Sequence, residues 1–270
     1  MPIIDTCEVI QNEQVGPGLH VVRFRHATIA ASARPGQFVN VRTREGFPPL
    51  LRKPFSVCRR DANEGWFEIF FKVVGTGTRL LAELQPGERR SIIGPLGNGF
   101  GLSHRLQHAI IVAGGIGVAP FPFLAEVLRQ QDVSVSVYFG ARTRDEVWGM
   151  HPFAELADEV FISTDDGSEG FHGRVTEMLQ PRLPELARES DRIQLFACGP
   201  EPMLKAVMQL GREFNLPTQI SVETMMGCGF GICMGCPMPN PADRAGQAYK
   251  LSCIDGPVFD IHEVEMEWPH

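Results

Sequence analysis

Cys228, Cys233 and Cys236 stand at the spacing Cys-x4-Cys-x2-Cys, and Cys253 follows after sixteen intervening residues. Three thiolates within nine residues, closed by a fourth from a separate segment, is the ligand spacing of a plant-type [2Fe–2S] centre. Gly227, Gly229, Gly231 and Gly235 allow the loop to turn tightly and to aim backbone N–H groups at the sulfurs. Two other readings use the same residues. One is a structural zinc, which usually gathers two short Cys/His pairs rather than a triplet plus one. The other is four buried free thiols. Cys7 and Cys58 have no partners in the sequence and read as packing residues. A total of seven cysteines in 270 residues is unlike a secreted disulfide framework. It fits metal or redox chemistry in a reducing, cytoplasmic compartment.

A second chemistry is written in glycine. The apolar run Ala109–Ala113 leads into Gly114-Gly115-Ile116-Gly117-Val118-Ala119-Pro120. A strand, a glycine turn and a helix start form an anion site suited to a pyrophosphate, although glycine turns also simply end strands. Phe196-Ala197-Cys198-Gly199-Pro200 repeats the arrangement at the end of another apolar run. Gly114, Gly115, Gly117, Gly199 and Pro200 are therefore candidate dinucleotide contacts. Thr164-Asp165-Asp166-Gly167-Ser168 follows a third strand and reads as a metal site, a turn near the nucleotide ribose, or a plain solvent loop. The chain has no Walker loop, G-x-S-x-G elbow or H-E-x-x-H pair, so NTPase and hydrolase readings have no support.

These residues need elements to hold them. Residues 1–102 read as short strands, among them Leu19–Arg25, Gly36–Arg42 and Trp66–Val73, with a helix at Thr78–Leu84. That rhythm suggests a small β-barrel. Lys53-Pro54-Phe55-Ser56, taken alone, reads as the start of an edge strand. Residues 103–218 alternate strand and helix: strands at Ala109–Ala113, Val133–Phe139, Glu159–Thr164 and Ile193–Ala197, helices at Ala119–Gln130 and Glu201–Phe214, and a largely helical stretch at Arg174–Ala187 broken by Pro181 and Pro184. Alternation of this kind predicts a doubly wound parallel sheet. Residues 219–270, with a strand at Gln219–Val222, are too few for a large core and fit a metal-stapled module. The expected fold class is thus multidomain β plus α/β, divided at 1–102, 103–218 and 219–270.

Charge and composition narrow the function. Net charge is +4 in residues 1–102, −6 in 103–218 and −5 in 219–270, which argues against a nucleic-acid binder and leaves the first third able to hold a small anion. Asp255, Asp260, Glu263, Glu265 and Glu267 make the tail acidic, either a docking feature or a solvated face. Leu106 to Ala125 has twenty residues without formal charge, but its glycines and prolines favour a strand–turn–helix unit over a membrane span. The first thirteen residues show no basic and apolar leader pattern.

In order along the chain, Lys53-Pro54-Phe55-Ser56, Phe71–Thr78 (FKVVGTGT), Gly94–Phe100 (GPLGNGF), the two dinucleotide loops, Met226-Gly227-Cys228-Gly229 and Cys253–Phe259 (CIDGPVF) resemble the ferredoxin–NADP reductase superfamily. Within it they resemble the electron transfer subunits of NAD-dependent dihydroorotate dehydrogenases, over nearly the whole chain. The resemblance implies an FAD-binding barrel, an NAD-binding domain (NAD or NADP) and a [2Fe–2S] domain. It implies flavin contacts at Lys53, Pro54, Phe55, Ser56, Phe70, Phe71, Lys72, Gly77 and Thr78, cluster ligands at Cys228, Cys233, Cys236 and Cys253, and a cysteine beside the nicotinamide at Cys198. It further implies a two-electron to one-electron converter partnered with an FMN-containing dihydroorotate dehydrogenase catalytic subunit in a heterotetramer, serving pyrimidine biosynthesis. Two alternatives from other classes are a reductase serving a different acceptor, such as a ferredoxin or another flavoenzyme, and a non-enzymatic redox sensor. The chain departs from the superfamily in carrying Lys53 and Lys72 where Arg is usual, although it has 21 Arg and only 4 Lys. Lysine keeps the charge and loses the bidentate fork. Pro237, directly after the third thiol, is also atypical.

Overall fold

The computed structural model describes residues 2–150, 152–241 and 249–266. Six antiparallel strands form a closed barrel in the order β1-β2-β5-β4-β3-β6: β1 (Ile3–Gly16), β2 (Leu19–Arg25), β3 (Phe38–Val41), β4 (Lys53–Asp61), β5 (Trp66–Lys72) and β6 (Arg89–Leu96). Helices α1 (Ala27–Ser32) and α2 (Thr76–Ala82) cap it. Closure works because alternate residues turn inward: Val22 and Phe24 of β2, Val39 and Val41 of β3, and Phe67, Ile69 and Phe71 of β5 fill one core. β1, β6 and α1 were not legible from sequence. Ile3–Gly16 is half polar and mostly surface-lying, so its alternation is weak. The expectation of an edge strand at Lys53–Ser56 is corrected here. β4 lies between β3 and β5, and a closed barrel has no edge. Pro54 is accommodated as the second residue of its strand.

The second sheet has the order β10-β9-β8-β7-β11-β12-β15. Its elements in chain order are β7 (His108–Gly114), α3 (Phe121–Gln130), β8 (Ser134–Ala141), α4 (Phe153–Leu156), β9 (Glu159–Thr164), β10 (Phe171–His172), α5 (Val175–Leu179), α6 (Leu183–Leu186), β11 (Ile193–Cys198), α7 (Glu201–Glu213) and β12 (Thr218–Ser221). The stretch 174–187 is divided into α5 and α6 as its prolines imply: Pro181 lies in the turn between them, and Pro184 sits in the first turn of α6, where its missing N–H is tolerated. The tail contributes β13 (Pro237–Pro239) and β14 (Tyr249–Leu251), which pair with each other, and β15 (Val258–Asp260), which pairs with β12. The tail is therefore threaded back into the nucleotide sheet instead of standing apart from residue 219 onward. A short β12 with apolar Ile220 inward needs a neighbour on its open side, and Phe259 of β15 supplies it. None of the helices among the described residues is long and apolar enough to cross a membrane.

Barrel and sheet share their cores. Phe123 of α3 is buried among barrel residues, while Leu19, Cys58 and Phe70 of the barrel are buried under the sheet. Each buried aromatic contributes on the order of 2–3 kcal/mol. Arg59 of β4 donates to Glu126 of α3 at 2.6 Å, and Arg60 lies over the Phe123 ring.

Candidate functional site

β7 is flanked by β8 on one side and β11 on the other, all parallel. The chain leaves β7 toward β8 and returns to β11, so the order reverses between β7 and β11. Ligands of open α/β sheets bind outside the carboxyl ends of the strands at such a reversal. Both glycine loops emerge there and touch. A Cβ on Gly117 would lie 2.4 Å from the Cys198 carbonyl oxygen, and one on Gly114 would lie 2.8 Å from the Met203 sulfur and from Pro200. Gly199, at φ +159°, abuts Gly114. Two motifs 80 residues apart thus make one cradle, whose shape only glycine permits. Cys198 is 3% exposed, and burial pushes its thiol pKa up. A protonated, enclosed thiol shapes the site and is not a nucleophile.

The nine residues matched to flavin contacts do not share one surface. Successive residues on a strand face opposite ways. Phe71 turns into the barrel and meets Phe55 at 5.4 Å, Phe70 turns into the core beneath the nucleotide sheet, and Lys72 donates to Glu146 at 3.0 Å. Lys53 lies along Gly77, where a Cβ would sit 3.1 Å from its Cε. Among the described residues Lys53 has no ion-pair partner, so a half-buried ammonium stands over a glycine cradle. That arrangement fits a diphosphate. Thr78 accepts N–H bonds from Val74 and Gly75, fixing the turn that presents Gly77. The residues present fit FAD: an anion end at Lys53 and Gly77, and an aromatic end at Phe55.

The four thiols lie as two pairs. The Cys228 N–H donates to the Cys233 sulfur at 3.4 Å, and the Cys228 sulfur accepts N–H bonds from Phe230 and Cys233 at 3.4 and 3.5 Å. Partial burial raises the Cys228 pKa, but these N–H bonds outweigh it and bring the thiol down to about 7. Burial, then contact with Cys236, pushes Cys253 up to about 12. Cys236 and Cys253 pack on Phe38, Leu96 and Leu251. Among the described residues no three Cys, His, Asp or Glu converge on one ion. Two dithiol pairs suit two irons with two thiolates each, and N–H groups aimed at sulfur stabilise the thiolate form. In the acidic turn after β9, Asp166 accepts from the Ser168 N–H and hydroxyl, and among the described residues no three candidate metal ligands gather there.

Comparison with known proteins matches residues 6–100 to the oxidoreductase FAD-binding domain and residues 111–209 to the oxidoreductase NAD-binding domain. Residues 223–265 match the iron-sulfur cluster binding domain of dihydroorotate dehydrogenase B. A relative from Desulforamulus reducens is 36% identical over 96% of this chain and 97% of its own. Another from Bacillus caldolyticus is 42% identical over 86% of each. Both are named dihydroorotate dehydrogenase B (NAD(+)), electron transfer subunit. This chain belongs to that family. Among solved structures, one described as the NADH-dependent reduced ferredoxin-NADP oxidoreductase aligns at TM-score 0.81 and 28% identity, covering 97% of this chain and 90% of that one. The ferredoxin reductase of carbazole 1,9a-dioxygenase shares the fold at TM-score 0.67 and 22% identity. The family carries FAD, NAD and an iron–sulfur cluster, as expected from the motifs.

Within this family member the sequence hid Glu146. It joins Lys72 of the barrel to Arg142 just past β8, with a 2.5 Å bond to the guanidinium. The Arg142 bond, opposed by partial burial and aided by Lys72, holds the Glu146 carboxyl down at about 2, against a usual 4.5. A depressed carboxyl contributes stability that is present above the unfolded pKa and lost as pH falls through the folded one. We expect a Glu146→Gln chain to be less stable than wild type by under about 1 kcal/mol at pH 7. The two unfolding curves should converge as pH drops from 4.5 toward 2. Denaturant titrations at several pH values check this.

Proposed function

We propose that this chain passes electrons between NAD and the FMN of a dihydroorotate dehydrogenase catalytic subunit through FAD and a [2Fe–2S] cluster. In pyrimidine biosynthesis the flow runs from dihydroorotate to NAD⁺, in an assembly of two such chains on a dimeric partner. The bound cofactors supply hydride exchange and one-electron chemistry; the protein supplies binding and orientation. Gly114, Gly115, Gly117, Gly199 and Pro200 admit the dinucleotide diphosphate at the strand-order reversal. Cys198 presents a neutral wall beside the nicotinamide. Lys53, Gly77 and Thr78 hold the flavin diphosphate, Pro54, Phe55 and Ser56 line the flavin, Phe71 backs Phe55 from the barrel core, and Phe70 and Lys72 join the barrel to the nucleotide sheet. Cys228, Cys233, Cys236 and Cys253 hold the irons.

The observation that carries the partner reading is the surface beside the thiols. Met225, Ile232, Met234 and Ile254 flank the cluster ligands in the chain and are exposed, Met225 at 89% and Ile232 at 76%. Exposed apolar side chains concentrated beside an electron carrier fit a protein partner. The acidic tail is a weaker candidate. Asp255 accepts from the Leu251 N–H, Glu263 pairs with Lys250 and Glu265 with Arg212, and Glu267 lies outside the described residues.

The likeness to a ferredoxin-NADP oxidoreductase structure over almost the whole chain supports one rival, a reductase for ferredoxin. Mixing the purified chain with its cognate catalytic subunit separates the two. A stable complex that reduces NAD⁺ with dihydroorotate is the expected result. Failure to form it, with NADH-driven reduction of added ferredoxin, establishes the rival.

A further inference from the structure

The iron–sulfur loop reaches the flavin barrel through an apolar pad and two asparagines. The pad, Phe38 and Leu96 against Cys236, Cys253 and Leu251, is non-directional and sets no orientation. The asparagines are directional. Asn40 of β3 is fully buried, and its Nδ2 donates to the Cys228 carbonyl at 2.9 Å. Asn98, just past β6, donates its Nδ2 to the carbonyls of Ile254 at 3.1 Å and Asp255 at 2.9 Å. Its N–H donates to the Gly256 carbonyl at 2.6 Å. One asparagine therefore grips the half of the site with Cys228 and Cys233, and the other grips the segment after Cys253.

The surroundings are shaped for these contacts. A Cβ on Gly229, at φ +83°, would lie 2.6 Å from Asn40 Nδ2. A Cβ on Gly97, at φ +71°, would lie 2.5 Å from the Gly256 oxygen. Both glycines let backbone and asparagine approach closely. Asn40 also carries a cost: its Oδ1 is buried without a partner among the described residues, and such an orphan costs about 1–3 kcal/mol. Asparagine is also depleted in strands. An apolar residue would serve packing better at this position, so packing alone does not account for Asn40.

We propose that Asn40 and Asn98 are positioning residues that clamp the iron–sulfur loop onto the flavin barrel and thereby fix the separation and orientation of cluster and flavin. The proposal rests on the reading that the four thiols hold a cluster served by FAD. Asn98 also gives the Gly94–Phe100 motif a task at the cluster. Electron passage falls steeply with separation, and a functional group held loosely by its supporting residues loses its geometry.

Asn40→Asp, Asn40→Leu, Asn98→Ala and the Asn40→Asp/Asn98→Ala double variant test it in the full-length loaded protein. Iron content, NADH-driven bleaching of the flavin, and the rate and EPR line shape of NADH-driven cluster reduction are read. Iron content and flavin bleaching should match wild type. Cluster reduction in the double variant should slow about 10-fold or more, with a broadened or shifted EPR signal. Wild-type cluster reduction and line shape in the double variant overturn the proposal. Loss of iron from a single variant also overturns it, because the residue then builds the site rather than placing it. Wild-type protein that binds no iron under reconstitution refutes the underlying cluster reading instead.

Discussion

A Cys253→Ser chain is expected to lose its iron and the broad visible absorption of the cluster, while retaining FAD and its bleaching by NADH. The structure places the consequence. Cys253 is 1% exposed and packs beside Cys236, Phe38 and Leu96. Serine is nearly isosteric, so the pad and the barrel behind it remain, but the hydroxyl is a poor iron ligand at neutral pH. Ligand binding and local folding are coupled at such sites, so the loop Gly227–Cys236 should also become more susceptible to proteolysis. The wild type should carry about two irons per chain, as a [2Fe–2S] centre requires. Metal analysis with a visible spectrum checks both chains at once. One zinc and no colour beyond flavin in the wild type would establish the mononuclear reading, which the triplet-plus-one spacing of the thiols disfavours. Retained flavin bleaching in the variant shows that any loss is confined to the cluster.

The second large effect is expected at Gly117. Its missing Cβ faces the Cys198 oxygen at 2.4 Å and Gly199 Cα at 2.6 Å. These are backbone atoms at the end of a central strand and cannot swing aside. Gly117→Ala should cost about 1–3 kcal/mol in stability, the usual range for overpacking. It should also push the two loops apart where the dinucleotide binds. Displacement of this size costs up to about 100-fold in kcat/KM, read here for NADH in dye reduction, with flavin content and spectrum unchanged. Gly115→Ala is the informative comparison. Nothing lies within 4 Å of its Cβ position, but φ is +54°, so only the backbone penalty of about 1 kcal/mol applies. Equal effects of the two substitutions would refute the argument that contact between the loops builds the site.

Both predictions depend on features that the chain shows unevenly. The cysteine spacing was legible because ligand chemistry forces thiolates into a short loop, leaving a local pattern. The strands Leu19–Arg25 and Glu159–Thr164 were legible for the same reason, since each carries its own pattern of apolar residues. Ile3–Gly16 was not legible, because its partners in β2 and β6 lie elsewhere in the chain and most of its length faces solvent. Asn40 left no local signal, and neither the Gly94–Phe100 motif around Asn98 nor the four-residue spacing of Arg142 and Glu146 reveals what these side chains reach across the fold. Their distant partners are 188, 156–157 and 74 residues away, and a lone asparagine or glutamate in sequence reads as surface.

The sequence by itself determined the chemistry of this protein: four thiols at cluster spacing, two glycine loops at strand ends, and the order of motifs that marks the family. Local spacing suffices for these, because each is a constraint between neighbours in the chain. Only the tertiary structure decided how the parts meet. It showed that β15 returns to the nucleotide sheet, that Phe70 and Phe71 face opposite cores, that Lys72 joins the barrel to the sheet through Glu146, and that two barrel asparagines grip the cluster loop. Those contacts join residues dozens to nearly two hundred positions apart. They depend on sheet closure, strand register and packing across the interface, and no local residue pattern encodes them.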